Sequence, residues 1–392
     1  MTEQKYRLSV RRTMVCGALL RVLLLVLLLT LLRTVAEPYL MADDAAYEAL
    51  AAKYLALRTR AIDPQALALS GATGYLEPFW PVAVCVLAGL TGTVTAARWL
   101  NVLLSVATVG VLTALVRQTT NSQAAAMRAC RLMAYLPVTV ITALFPIKDI
   151  YLMLSFFTVL LLLVRLSHGE RIRVPALLAG VLLTWGCFYT RRLVGVVLVA
   201  LAFSFLLRRL ICRRCTVAAV LLLVAGGVLL WCTREAITSE IAQKLQVYGA
   251  DTGGQGIALL RIRSLRDVWR LPLACVYGML QPIRLPLLSS SGMTPYWDVL
   301  SLLNLSMLPV ATAAALYALC KKHDRLLWLG CALTYAAVIV LSLGIFRHYL
   351  FLLPLHVMSA VAYGARTGKG GALPVALGSA GLMLAIALYS FL

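Results

Sequence analysis

Residues 15–35 read VCGALLRVLLLVLLLTLLRTV, and the acidic stretch Met41-Ala42-Asp43-Asp44-Ala45-Ala46-Tyr47 follows soon after. The apolar run is long enough to cross a bilayer as a helix, for which about 20 residues suffice. It is too long, and too poorly matched to a small-residue cleavage site, for a removed signal peptide. Adjacent carboxylates just beyond a membrane span are unfavourable near lipid, which makes Asp43 and Asp44 candidates for function.

The composition indicates a membrane protein throughout. Of 392 residues, 62% are hydrophobic and 13% charged, whereas soluble domains have about 45–50% and about 25%. The apolar runs are continuous rather than alternating, which favours helices over the strands of a β-barrel. The net charge of +21 lies at the ends of apolar runs, as membrane topology requires. No zinc-finger, RNP or helix-turn-helix pattern accompanies it, so we expect no nucleic-acid partner.

Hydropathy predicts an all-α integral membrane protein with about eleven transmembrane helices. The predicted crossings are residues 15–35, 97–116, 124–145, 150–164, 174–189, 193–207, 217–232, 299–319, 326–345, 349–363 and 373–392. Two further apolar pieces, 78–90 and 271–288, are too short or too interrupted by proline to be counted. We expect both to lie at the membrane interface.

The basic residues predict the sidedness. Lys5, Arg7, Arg11 and Arg12 place the N-terminus in the cytoplasm. Eleven crossings then keep the later basic loops on the same side, whereas counting either interfacial piece as a crossing would move them out. Of the 15 acidic residues, the cytoplasmic side then holds Glu3, Glu170 and Asp324. The sequence thus predicts a multi-pass protein of the cytoplasmic (inner) membrane whose outer face is the polar, working face.

The chain is expected to form one polytopic membrane domain, 1–392, without a soluble C-terminal domain. Two long outer loops are predicted, at about 37–96 and 233–298. The first loop has apolar residues at helical spacing over 43–58, which predicts an amphipathic helix. Asp43 or Asp44 would cap its N-terminus, which is the plain structural explanation for one member of the pair. The second loop carries a glycine-rich turn, 249–256, that could gate access to a site.

Three short outer turns carry cations where short outer loops should be poor in them. They are Lys148-Asp149, Arg191-Arg192 and Arg347-His348. For each turn alone, an interface anchor or an ion pair is as good an explanation as a functional site. Together with the acidic pair they favour an anionic ligand at the membrane surface, because Arg binds phosphate by bidentate geometry.

A carboxylate among such cations keeps a low pKa and can serve as base for an incoming hydroxyl or amine. A sugar linked to a lipid phosphate has a good leaving group, so one base and a positive cradle suffice for inverting displacement. Glycoside hydrolases differ, since their poorer leaving group requires two carboxylates.

Several separated motifs resemble the GT-C superfamily of integral-membrane glycosyltransferases, above all its polyprenyl-phosphate-mannose and aminoarabinose-transferase-like branch. Asp43-Asp44-Ala45-Ala46-Tyr47 resembles that family's acidic motif after the first span. The other matching pieces, which stand in the family's order, are Leu76-Glu77-Pro78, Gly89 to Asn101, Phe145-Pro146-Ile147-Lys148-Asp149, Phe188-Tyr189-Thr190-Arg191-Arg192 and Phe346-Arg347-His348-Tyr349. The resemblance is close over 1–210 and loose beyond, and larger members carry a soluble outer domain after the last span.

The resemblance implies a GT-C-like fold and a site residue by residue. Asp43 is implied as the catalytic base and Asp149 as a second carboxylate at the acceptor site. Asp44 and Glu77 are implied as supporting acids or as ligands of a divalent metal, if one is used. Substrate-binding roles fall to Asp44, Tyr47, Glu77, Lys148, Arg191, Arg192, Arg347 and His348, the cations holding the lipid phosphate.

The sequence therefore predicts a cell-envelope transferase that moves a sugar from a polyprenyl-phosphate donor to a glycan, lipid or protein acceptor. One alternative is a flippase or transporter of lipid-linked sugars, which should show charges near the bilayer midplane and internal repeats. Another is a polysaccharide polymerase or ligase, which should depend on Arg261, Arg263 and Arg266 of the second loop. A non-catalytic membrane subunit is the third.

Overall fold

The computed structural model describes residues 2–31, 44–57, 79–212, 214–250, 269, 306–320 and 351–391. The regular secondary structure in these ranges is α-helix with short pieces of 3-10 helix, and this confirms the all-α prediction. We number the α-helices of the described part in chain order. They are α1 Glu3–Leu31, α2 Asp44–Leu57, α3 Phe79–Thr91, α4 Ala96–Thr120, α5 Gln123–Tyr135, α6 Pro137–Thr142, α7 Asp149–Ser167, α8 Val174–Thr190, α9 Arg192–Cys212, α10 Thr216–Ala250, α11 Leu308–Cys320, α12 Leu353–Thr367 and α13 Ala372–Phe391.

Four of these helices are long and apolar enough to cross a membrane: α1, α4, α7 and the Val194–Cys212 part of α9. Shorter apolar helices accompany them in α3, α8, α10 and α13. The described residues thus confirm a helical membrane protein. The number of crossings stays a prediction, and the predicted span 326–345 lies outside the described residues.

Side-chain contacts define the two ends of the bundle. At one end the Arg117 guanidinium, at the end of α4, lies 2.7 Å from the Glu3 carboxylate at the start of α1. Nearby, Arg209 of α9 donates to the Leu166 carbonyl over 3.1 Å. We call this the Glu3 end. The opposite end, where α7 begins, we call the Asp149 end. The predicted sidedness would place the Glu3 end in the cytoplasm.

The predicted crossing 124–145 is divided into α5 and α6. Pro137 has no N–H, and the residue before a proline is driven out of the helical region; Leu136 accordingly has an extended ψ of 124°. The break leaves the Met133 and Ala134 carbonyls in need of donors.

The Thr139 hydroxyl donates to the Met133 carbonyl over 2.8 Å, and a buried guanidinium serves both carbonyls. Arg21, in the middle of α1, is fully buried. It donates to the Ala134 carbonyl over 2.8 Å and to the Met133 carbonyl over 3.3 Å. It also donates to Ser105 Oγ of α4 over 3.1 Å. Arg21 thereby joins α1, α4 and the α5–α6 break.

The centre of the bundle is formed by α4 and α7, whose inward faces are closely packed. On α7, Phe156 stacks edge-on against Phe157, with ring centroids 5.3 Å apart, and against Phe351 just before α12, at 5.6 Å. Many lipid-facing side chains of α1, α8 and α10 are exposed. The large exposed apolar surface is what a bilayer would cover.

The start of the second predicted outer loop is helical, and where the chain leaves the membrane there stays a prediction. The second outer loop was predicted to begin at residue 233, but α10 continues as a helix to Ala250. Residues 233–250 contain no proline and a single glycine, Gly249, so nothing in them breaks the helix. Gly249 and Ala250 of the predicted glycine-rich turn belong to α10, and the rest of that turn lies outside the described residues.

Candidate functional site

The helix predicted over 43–58 is present as α2, which begins at Asp44 and packs on α3. Leu50 and Ala51 are buried, while the opposite face is exposed. Tyr54 lies against Gly89 of α3 so closely that an added Cβ there would sit 3.0 Å from the ring. Helices α2 and α3 together cover the Asp149 end of the bundle.

A buried ion pair ties α2 to the bundle. Glu48 Oε1 lies 2.5 Å from Arg98 Nε, and the side chains of Glu48 and Arg98 are 8% and 0% exposed. Arg98 stands in the first turn of α4, so the pair fixes α2 over the point where α4 begins. It lies one helical turn from Asp44, and thus beside the acidic start of α2.

The turn between α6 and α7 is held by three side chains, of which Arg98 donates from Nη1 to the Leu144 carbonyl over 3.4 Å. Asn101 donates from Nδ2 to the Phe145 carbonyl over 2.6 Å and to the Ile147 carbonyl over 2.9 Å. Trp80 of α3 donates from Nε1 to the Pro146 carbonyl over 2.9 Å. Each carbonyl of the turn Phe145-Pro146-Ile147 therefore has its own donor, and the position of the following Lys148-Asp149 is fixed.

Asp149 and Arg191 meet at this end. Asp149 Oδ1 lies 3.4 Å from Arg191 Nη1, and their side chains are 0% and 10% exposed. Asp149 opens α7 and Arg191 follows directly after α8, so the pair links the ends of two helices. Burying a carboxylate is unfavourable unless a cation such as Arg191 faces it.

Aromatic side chains fill the space between these pairs. Tyr151 lies 5.0 Å from the Phe79 ring and 6.1 Å from the Trp80 ring, centroid to centroid. Gly186 of α8 faces Tyr151 so tightly that an added Cβ would overlap the Tyr151 hydroxyl. The absence of a side chain at Gly186 therefore allows α3, α7 and α8 to meet.

At this end, the hydrogen-bonding capacity of two buried polar atoms is not used by any described residue. Arg98 Nη2 and Asn101 Oδ1 are buried and have no hydrogen-bond partner among the described residues. Such atoms are exceptions in folded proteins and often mark a place where function competes with stability. Both belong to side chains that hold the turn before Asp149.

The structure brings several predicted residues together and leaves others undescribed. Lys148, Asp149 and Arg191 share the Asp149 end, and α2 carries Asp44 and Tyr47 to the same end through Glu48. Arg192 begins α9 there. Asp43, Glu77, Arg347 and His348 lie outside the described residues, so their predicted roles stay predictions.

The predicted metal ligands find no support in the described part of the chain. No group of three or more His, Cys, Asp or Glu side chains lies close enough there to hold a metal ion. Of the two candidates, Asp44 begins α2 and Glu77 lies outside the described ranges.

Sequence reasoning did not single out Glu48, Arg98 and Asn101 as site residues. Glu48 was one of many outer acids, and the other two were part of a matching segment. A signal was present, because Arg98 and Asn101 stand one turn apart within an otherwise apolar span, and polar side chains in a span usually have a specific partner.

Comparison of the chain with protein-family models, with characterised proteins and with solved structures gave no match.

Proposed function

We propose that the chain is a membrane glycosyltransferase that moves a sugar from a polyprenyl-phosphate-linked donor to a glycan, lipid or protein acceptor. The reaction would take place at the Asp149 end, which the positive-inside rule predicts to face away from the cytoplasm. One observation carries the proposal. Two acid-bearing elements, α2 and the start of α7, come to one end of an apolar bundle, where Arg98 pairs with Glu48 and Arg191 pairs with Asp149.

The geometry changes the role proposed for Asp149. Its side chain has no exposed surface and faces Arg191. In this arrangement it does not reach an acceptor, so we assign it to positioning Arg191 rather than to proton transfer. Arg191 is the group proposed to bind the donor phosphate, because a guanidinium presents phosphate with a planar fork of donors.

Proton transfer is then left to the start of α2. In the proposal the acceptor hydroxyl or amine loses its proton to Asp43 and attacks the anomeric carbon. The bond from that carbon to the phosphate oxygen breaks, and the lipid phosphate leaves with the electron pair. The N-terminal end of α2 favours negative charge nearby through the helix dipole, which keeps a carboxylate there ionised.

The test begins with the lipid. Mass spectrometry of lipids that co-purify with the full chain should detect a polyprenyl phosphate sugar. With that donor class, Asp43→Asn should abolish transfer and leave donor retention unchanged, whereas Arg191→Gln should lower donor retention. Arg173→Gln, an exposed arginine of the Glu3 end, is the matched control. Turnover by purified Asp43→Asn at the wild-type rate would refute the assignment of the base.

The described residues bear differently on the two rival functions. A transporter of lipid-linked sugars should expose charge along a path through the bilayer. The charged side chain found buried within α1, Arg21, is instead occupied by protein acceptors. A polymerase or ligase should depend on Arg261, Arg263 and Arg266, which lie outside the described residues. Variants at these three arginines, compared with Asp43→Asn in one transfer assay, separate the two readings.

A further inference from the structure

A groove of about 610 Å³ opens between α5, α11 and α12, away from the candidate site. Its wall on α5 is a stripe at helical spacing: Arg128, Arg131, Leu132, Tyr135 and Leu136. Apolar or small residues complete it from the other helices, among them Val310 of α11 and Gly364 of α12.

The charges of the groove lie at one end. Arg128 and Arg131 are the groove's residues on the side toward the Glu3 end, where α5 begins at Gln123, and both are exposed. Neither forms an ion pair within the described residues, and no acidic residue is among the groove's described lining. The remaining lining continues along α5 as far as Pro137, at the break.

The dimensions suit a lipid. From Arg128 to Leu136 the α5 wall rises about 12 Å, which is close to half of a bilayer core about 30 Å thick. A cationic end at the membrane surface and an apolar channel reaching the midplane correspond to a phospholipid headgroup and its acyl chain. Basic pockets between transmembrane helices bind anionic headgroups in this manner.

We propose that this groove is a binding site for an anionic phospholipid of the leaflet at the Glu3 end. The headgroup phosphate is bound by Arg128 and Arg131, and one acyl chain lies along Leu132 and Val310. The site is independent of the proposed transfer reaction, because it lies at the opposite end of the bundle from Asp149.

Native mass spectrometry of the purified full chain tests whether the two arginines bind an anionic headgroup. The probe is phosphatidylglycerol, and the comparison lipid is phosphatidylcholine with the same acyl chains. Each arginine near the surface should contribute about fivefold, so Arg128→Gln with Arg131→Gln should weaken phosphatidylglycerol binding about 30-fold. The matched control, Arg171→Gln with Arg173→Gln, removes two exposed arginines from the same end of the bundle but outside the groove and should leave binding unchanged. The proposal would be overturned if both double variants lost phosphatidylglycerol affinity equally, or if the Arg128/Arg131 variant lost none.

A second variant tests the channel without removing charge. A Cβ added at Gly364 would meet only Arg128 Nη1, at 4.0 Å, so Gly364→Leu extends into the groove without a backbone clash. It should weaken binding of long-chain phosphatidylglycerol while the unfolding temperature stays at or above the wild-type value. If instead it turns a wild-type dimer into a monomer and leaves lipid binding intact, the groove is a contact between copies and the lipid proposal is wrong. Binding of phosphatidylcholine as tight as that of phosphatidylglycerol would refute the headgroup assignment as well.

Discussion

At the residue scale, the Asp149 end depends on two buried acid–arginine pairs whose members come from distant parts of the chain. Glu48 and Arg98 stand 50 residues apart, and Asp149 meets Arg191 across two helices. Removing one member of a buried pair leaves an uncompensated charge, whereas removing both does not. The pairs therefore fix relative positions of helices more than they add net stability.

Glu48→Gln and Arg98→Gln should each destabilise the protein by about 3–5 kcal/mol, because each leaves one buried charge. The double variant should recover part of the loss. Thermal unfolding of the four proteins in one detergent gives the coupling energy of the pair. Additive losses in the double variant would show that Glu48 and Arg98 do not interact in the folded protein.

Gly186→Ala should displace Tyr151 and lower stability, although alanine favours a helix by about 1 kcal/mol over glycine. The matched control is Gly227→Ala in α10, where an added Cβ meets nothing within 4 Å; it should be neutral or stabilising. Unfolding temperatures of both variants in one detergent check this. An increase in stability for Gly186→Ala equal to that for Gly227→Ala would contradict the tight contact.

At the scale of elements, the break between α5 and α6 shows what a hydropathy pattern leaves out. The pattern placed one crossing at 124–145, and the helices are indeed there, but Pro137 divides them. The amphipathic helix 43–58 was found as α2 at nearly its predicted bounds, because its apolar spacing is local. The partner of the break, Arg21, could not be predicted, because the contact depends on how α1 packs against residues more than 100 positions away.

Arg21→Met should lower stability by about 1–3 kcal/mol, because it leaves the Ala134 carbonyl without its donor. Adding Pro137→Ala should offset part of this loss, because a continuous helix would let the Val138 N–H donate to the Ala134 carbonyl. Arg11→Met, an exposed arginine on the same helix, is the control and should change little. Unfolding temperatures of the single and double variants test the scheme; a proline replacement that lowers the stability of the Arg21 variant further would refute it.

At the scale of the whole molecule, composition alone was sufficient to predict a helical membrane protein, and the long apolar helices confirm it. The outline of the site was partly accessible, since Lys148, Asp149 and Arg191 were chosen as cations and acids out of place in short turns. The ion pair between Asp149 and Arg191 could not be predicted. A charged residue at the end of a span gives the same sequence pattern whether it binds a ligand or a neighbouring helix.

The sidedness predicts which end of the bundle meets the cytoplasm. In a cysteine-free background, a membrane-impermeant maleimide should label Thr91→Cys at the Asp149 end in intact cells. A variant that keeps Cys212 alone, exposed at the Glu3 end, should be labelled only after the membrane is permeabilised. The reverse pattern would invert the topology and would place the candidate site in the cytoplasm.

The hydrogen bonds of the Arg21 guanidinium have a consequence for insertion of the protein into the membrane during synthesis. A lone arginine in the middle of a span raises the free energy of insertion by about 2.5–3.5 kcal/mol, and the leucines around it must outweigh that during synthesis. The acceptors that relieve it, from Ser105 to Thr139, are translated much later than α1. The nascent first helix therefore carries its arginine without these acceptors until α4, α5 and α6 have entered the membrane, which makes these four helices one unit of co-translational assembly.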